Sequence, residues 1–316
     1  MKFGVGLPTE ITSLSSAVDY ACVAEELGFD SVVTADHVSM KYEALTVLTA
    51  VAVKTSRIRI GTLVLDGNRR DPAVLAQATA TLDRISKGRL ILGVGKGVFN
   101  EASYGFNLEK PVARMLDILK ALKELWRGGE VSYSCEFFSY DKLRIRSNPL
   151  QKPHPPIWLA AFRRRMRRIA AEFGDGFVTQ NMPPKLFKDY LEEAGENALR
   201  VGRDPGKLEA VYGMMPVAVA SDRVTARKMV EPSARAFLLR HARRLSEELG
   251  YEKPWSTISE VPEEVIDECF VFGTSEECAD KVEEYVKAGA TYIIFQSVLP
   301  QGVGSLKSLA GEIFRR

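Results

Sequence analysis

The residues best suited to chemistry stand where short apolar runs stop. Leu90-Ile91-Leu92 leads into three alternating glycines, Gly93, Gly95 and Gly97. Glycine at the carboxyl end of a buried strand lets a ligand approach the backbone where a Cβ would collide; a tight strand-to-helix turn is the structural alternative. Asp36 and His37 follow the apolar run Ser31-Val32-Val33-Thr34. Burial there disfavours a charge without a partner. Asp36 therefore either lines a ligand site or caps a helix, and His37 either faces a substrate or is a satisfied structural imidazole. Cys22, Cys135, Cys269 and Cys278 show no C-x-x-C spacing, and the three histidines form no H-E-x-x-H pattern. That spacing predicts reduced thiols and no metal site.

Elements must hold those residues together. Apolar strands are expected at 3–7, 31–34, 57–64, 90–94, 156–160, 176–180, 208–219 and 292–295. Amphipathic helices are expected between them, with Gly28 as a helix stop and Asp71-Pro72 as a helix start. The segment Val131 to Ile145 alternates in polarity, is rich in aromatic and β-branched residues, and reads as an inserted hairpin. Residues 222–249 read as one long basic helix, and 251–267 as an inserted loop near the rim. Eight β-then-α units require parallel strands and close most naturally into an α/β (β/α)8 TIM barrel. A doubly wound sheet is the alternative. Its glycine fingerprint should follow the first strand, where this chain has Leu7-Pro8-Thr9-Glu10.

Composition narrows the class. The chain has 316 residues with a net charge of +2, which points away from nucleic acid and from an acidic membrane face. No apolar run reaches the roughly 18 residues of a membrane span. The first strand starts at the N-terminus with no room for a signal peptide, so a cytoplasmic protein of one domain over residues 1–316 is expected. In a barrel the active site lies at the carboxyl ends of the strands. Those ends carry Pro8 to Glu10, Asp36 and His37, Leu63 to Asn68, Gly93 to Asn100, Ala160 to Arg165, Thr179 to Asn181, and Gln296 to Ser297. Such a rim of backbone, apolar side chains and few polar anchors suits a planar heterocycle better than metal-assisted hydrolysis.

Several pieces carry a family resemblance: G-F-D-S-V-V-T-A-D-H (28–37), D-P-A-V-L-A-Q-A-T-A-T-L-D-R-I-S-K-G-R-L-I-L-G-V-G (71–95), P-P-I-W-L-A-A (155–161), A-A-E-F-G-D-G (170–176) and F-G-T-S-E-E (272–277). In this order they resemble the bacterial luciferase-like superfamily, and within it the deazaflavin-dependent branch, most of all methylenetetrahydromethanopterin reductases. The resemblance implies coenzyme F420, or alternatively FMN, across the barrel mouth. It implies a backbone bulge at Leu63, Val64 and Leu65, with a non-prolyl cis peptide at Leu63–Val64, behind the ring. It also implies cofactor contacts from Asp36, Gly93, Gly95, Gly97, Ala161 and Phe162, and catalytic positions at His37 and Asp36.

The sequence departs from the family in two places. Where relatives usually carry Glu or Asp after the last glycine, this chain has Val98, leaving Glu101 as the nearby carboxylate for a catalytic role. Where relatives carry a Gly-Pro-Lys turn, it has Arg163, Arg164 and Arg165. These arginines either grip a phosphate or polyglutamate tail bidentately or form a solvated helix face; Arg167 and Arg168 are expected at the surface. The resemblance implies an F420-dependent oxidoreductase moving a hydride to or from a small or pterin-like substrate, in a homodimer or larger homo-oligomer. An FMN-dependent monooxygenase and a non-catalytic flavin-binding homologue are the alternatives.

Overall fold

Strands that alternate with helices return the chain to the same edge each time, so their neighbours must pair in parallel. The structure, a computed structural model, describes residues 1–8, 13–38, 40–97 and 109–315. The chain runs β1 (Lys2–Gly6), α1 (Leu14–Leu27), β2 (Ser31–Thr34), α2 (Ala44–Lys54), β3 (Arg59–Asp66) and α3 (Pro72–Ile85). It continues through β4 (Leu90–Gly95), α4 (Pro111–Arg127), β5 (Val131–Ser134), β6 (Ser139–Leu143), β7 (Ile157–Ala160) and α5 (Arg164–Phe173). Next come β8 (Gly176–Gln180), α6 (Pro184–Arg200), β9 (Glu209–Met214), β10 (Val217–Val219), α7 (Arg223–Arg240) and α8 (Ala242–Glu248). Then follow α9 (Glu263–Cys269), β11 (Val271–Gly273), α10 (Ser275–Lys287), β12 (Tyr292–Phe295), β13 (Val298–Leu299) and α11 (Val303–Ile313).

Eight strands close into a parallel barrel in the order β1-β12-β9-β8-β7-β4-β3-β2. The expected (β/α)8 architecture is present. Local chemistry sets the helix starts. Asp71 accepts hydrogen bonds from the Ala73 and Val74 amides at 2.8 and 3.1 Å, ahead of Pro72. Thr274 and Glu277 form a reciprocal capping box at α10. The antiparallel hairpin β5–β6 reaches back to α3, where the Tyr140 hydroxyl donates to Asp71 at 3.1 Å.

Strand alternation divides the core into two shells. The inner shell is Val33, Leu63, Ile91, Trp158, Val178, Val211, Tyr292 and Ile294, and it fills the barrel. The outer shell joins the opposite faces of the strands to the helices. Arg89 ties the base of this outer layer together. Its buried guanidinium donates to the carbonyls of Ser86, Ile58, Ala52 and Thr55 and to the Thr55 hydroxyl, at 2.6–3.0 Å.

Three expectations about elements are corrected. The seventh strand does not run unbroken over 208–219: β9 stops at Met214, and Pro216 supplies no N–H to continue the ladder. Beyond it, β10 joins a separate parallel sheet in the order β11-β10-β13. The basic helix divides at His241 into α7 and α8. The 251–267 insertion contains a 3-10 turn at Ile258–Glu260 and the start of α9. Among the described residues no helix is long and apolar enough to cross a membrane.

Candidate active site at the barrel mouth

The mouth is built one layer above the inner core, on positions that point inward by the same two-residue period. Counting up from Val33, Ile91, Trp158, Val178, Val211 and Ile294 gives Ala35, Gly93 and Gly95, Ala160, Gln180, Gly213 and Gln296. β1 contributes Gly6. Most of this ring is therefore glycine or alanine above an apolar floor.

The β3–β4 pairing adds a bulge to the ring. Thr62 faces Leu92 and Leu65 faces Val94, so Leu63 and Val64 together oppose Gly93 alone. An extra residue in a strand re-aims its side chains, and here it packs Val64 against the inner shell while leaving it partly exposed. The Leu63–Val64 peptide is cis. A Cβ on Gly95 would lie 2.7 Å from Val64 Cγ2 and 3.7 Å from the Ala160 Cβ, which makes these three residues one contiguous surface. Gly93 has a different reason to be glycine, because a Cβ there would lie 2.1 Å from the Thr62 carbonyl oxygen.

Asp36 is held from within the chain. Arg70 grips its carboxylate with both terminal nitrogens at 2.6 and 2.9 Å, and the Asp66 amide donates to it at 3.1 Å. Arg70 also reaches Glu43 at 2.6 Å, and Arg69 pairs with Asp66 at 3.1 Å. The carboxylate that sequence offers as a ligand contact thus anchors the loop after β3 to the loop after β2. His37 lies beside this lattice, half-buried; burial, then the charge of Arg69, lowers its pKa and favours the neutral ring.

Other expected site residues separate by strand face. Leu63 belongs to the inner shell, whereas Leu65 and Ala161 are fully buried in the outer core, one residue out of phase with the mouth. Gly97 has a left-handed φ of 80° as the chain leaves β4. Glu101, like Glu10, Val98 and Asn100, lies outside the described residues. Sequence reading named Gln296 and the end of β8 only as strand-end positions. It missed that Gln180 and Gln296 meet across the mouth, at 2.7 Å. The signal was available: Phe177-Val178-Thr179-Gln180 and Ile293-Ile294-Phe295-Gln296 end on the same inward phase.

The arginine run resolves into two roles. Arg163, Arg164 and Arg165 are exposed around the start of α5, which no side chain caps. Four amides are left without intrahelical partners at such a start, so the backbone and the arginines present positive charge together. Arg167 departs from the expected surface position. It is 4% exposed, donates to Glu193 at 2.6 Å and to the Phe162 carbonyl at 2.9 Å, and stacks on Tyr190 at 3.7 Å. Arg168 is exposed.

Phe162 stacks on His241 with ring centroids 5.9 Å apart, and Phe237 closes on the same imidazole at 4.5 Å. Burial, then the charges of Arg244, Arg240 and Arg163, pushes the His241 pKa down to about 4. Between pH 6.5 and about 4 the unfolded chain takes up a proton that the folded imidazole refuses. Stability should fall as pH is lowered through that window. His241→Phe, which keeps the stack, should show a shallower fall in thermal midpoint than the wild type; parallel curves would refute this.

A separate cavity of about 670 Å³ is lined by Arg84, Gly129, Arg144, Ile145, Arg146, Ser147 and Asn148. It adjoins the carboxyl ends of α3 and α4, hence the opposite end of the barrel from the mouth. Barrel chemistry resides at the mouth, so this cavity is not the candidate active site.

Comparison with known proteins agrees with the barrel fold. The sequence matches the family described as luciferase-like monooxygenase over residues 1–292. The 5,10-methylenetetrahydromethanopterin reductase of Archaeoglobus fulgidus is 28% identical over 336 residues, covering 99% of this chain and 98% of the relative. The F420-dependent glucose-6-phosphate dehydrogenase of Nakamurella multipartita is 30% identical over 315 residues, covering 94% and 91%. The solved coenzyme F420-dependent tetrahydromethanopterin reductase of Methanopyrus kandleri superposes with a TM-score of 0.83 at 22% identity, covering 99% of this chain and 98% of that one.

Proposed function

Because this chain belongs to the luciferase-like monooxygenase family, we propose that it is a coenzyme F420-dependent oxidoreductase that moves a hydride between the deazaflavin and a small or pterin-like substrate. One observation carries the reading. At the mouth Val64, Gly95 and Ala160 adjoin one another above a filled apolar barrel, and this small-residue apolar patch suits the face of a planar ring. The two most similar relatives described above are F420-dependent or act on a methanopterin, which favours the deazaflavin over FMN.

When bound, the coenzyme supplies two-electron hydride chemistry. The chain supplies the rest. Val64, Gly95 and Ala160 would bear on one ring face, while the uncapped start of α5 with Arg163, Arg164 and Arg165 would hold an anionic tail. Asp36, locked by Arg70, keeps the loop that carries His37 in place. A neutral His37 nitrogen takes the proton released when a substrate hydroxyl is oxidised.

Titration of the purified protein with oxidised F420 and with FMN, followed by coenzyme fluorescence, tests the reading. Saturable binding of F420 with weak or no binding of FMN is expected. Tight FMN binding with none of F420 would overturn it.

A further inference from the structure

We propose that Gln180 and Gln296 form a paired-amide subsite that binds a cis-lactam edge, an N–H beside a C=O on a planar heterocycle. The inference rests on the reading of the mouth as a heterocycle site and adds its polar recognition element.

The pair is constructed by three neighbouring strands. Gln180 ends β8 and is in register with Gly213 of β9, which is in register with Ile294 of β12. The Gln296 amide donates to the Met214 carbonyl at 2.9 Å, fixing the turn between β12 and β13. Gly213 makes the crossing possible. A Cβ there would lie 2.1 Å from Gln296 Nε2 and 3.3 Å from Gln180 Cβ, so any side chain would drive the two carboxamides apart. Beneath them lie Val178, Val211 and Ile294, all at most 4% exposed, which offer no polar partner.

The hydrogen-bond inventory follows from the side chains. Two carboxamides hold four N–H donors and two carbonyl oxygens. The single bond from Gln296 Nε2 to Gln180 Oε1 uses one N–H and one lone pair. No other side-chain partner occurs for either residue among the described residues. Gln180 therefore keeps its NH2 and one lone pair, and Gln296 keeps its carbonyl and one N–H, on two joined, half-buried side chains at the rim. Reversing both amides exchanges the labels and again leaves a free donor on one side chain and a free acceptor on the other. A lactam edge offers the reciprocal pair.

Two molecules in the mouth could present that edge: the pyrimidine ring of the deazaflavin or a heterocyclic substrate. The tests use 8-hydroxy-5-deazaflavin and pterin as probes, each beside its N3-methyl derivative, with the wild type and with Gln180→Leu and Gln296→Leu. Affinity is read by probe fluorescence and folding by thermal melts. At least one parent probe should bind the wild type about tenfold or more tighter than its N3-methyl derivative, as expected for a two-point hydrogen-bonded contact. Both leucine variants should erase that preference. Discrimination confined to the deazaflavin assigns the subsite to the coenzyme, and discrimination confined to pterin assigns it to the substrate. Equal binding of methylated and parent probes, or no binding of either parent, overturns the proposal, and this wild-type result stands even where a variant fails to fold. If full-length F420 binds while methylation has no effect, only this inference falls; if F420 fails to bind, the proposed function falls with it.

Discussion

Replacing Gly95 by valine should lower F420 affinity by about 100-fold or more, roughly 2.7 kcal/mol, while the barrel still folds. The site leaves little slack, since even the first added carbon would sit 2.7 Å from Val64 Cγ2. The remaining methyl groups must project into the space above that surface, where the ring is proposed to lie. Overpacking at one rim position costs about 1–3 kcal/mol of stability, which a barrel of this size withstands. A double-mutant cycle separates packing from ligand contact. Gly95→Ala should destabilise the protein, and Val64→Ala should relieve most of that loss by removing the atom it meets. Fluorescence titration and thermal melts of the four combinations provide the check. Unchanged F420 affinity in Gly95→Val would displace the ring from this surface.

Arg89→Met is expected to have the largest effect on stability, roughly 3–5 kcal/mol, with a fall in thermal midpoint on the order of 10 °C. The methionine would fill most of the volume but leave the carbonyls of Ser86, Ile58, Ala52 and Thr55 without their present donor. Buried acceptors that lose their partner incur their full desolvation penalty. Arg89→Lys should recover only part of the loss, because an ammonium has three donors and lacks the planar fork. Denaturant unfolding of both variants measures this; a loss below about 1 kcal/mol for methionine would show that the network contributes little.

The barrel was legible because its evidence is local and periodic. Val32-Val33, Leu90-Ile91-Leu92 and Ile293-Ile294-Phe295 are short apolar runs that recur between helical stretches, and only parallel pairing fits that order. The glycine run after Leu92 and the hairpin at 131–145 were visible for the same reason. What escaped depends on partners remote in sequence. Asp36 is defined by Arg70, 34 residues away, and Arg167 by Glu193, 26 residues away. Neither the lattice that occupies the aspartate nor the burial of one arginine in a run of five can be read from neighbours. Leu65 and Ala161 lie a single step out of phase with the mouth, and in a strand one step exchanges the two faces. The junction at Pro216 was harder still, since β10 finds its partners β11 and β13 some 50 to 80 residues later.

That junction bears on how the rim behaves. β9 and β12 do not end at the mouth. Each resumes within two residues as β10 and β13, and the Val217 amide donates to the Ser297 carbonyl at 2.7 Å between them. On this side the break at Pro216 is bridged by two backbone hydrogen bonds, Gln296 to Met214 and Val217 to Ser297, so Gln296 is mounted on a brace instead of a hanging loop. Recognition there should therefore be rigid, with selectivity set by the fixed spacing of two amides.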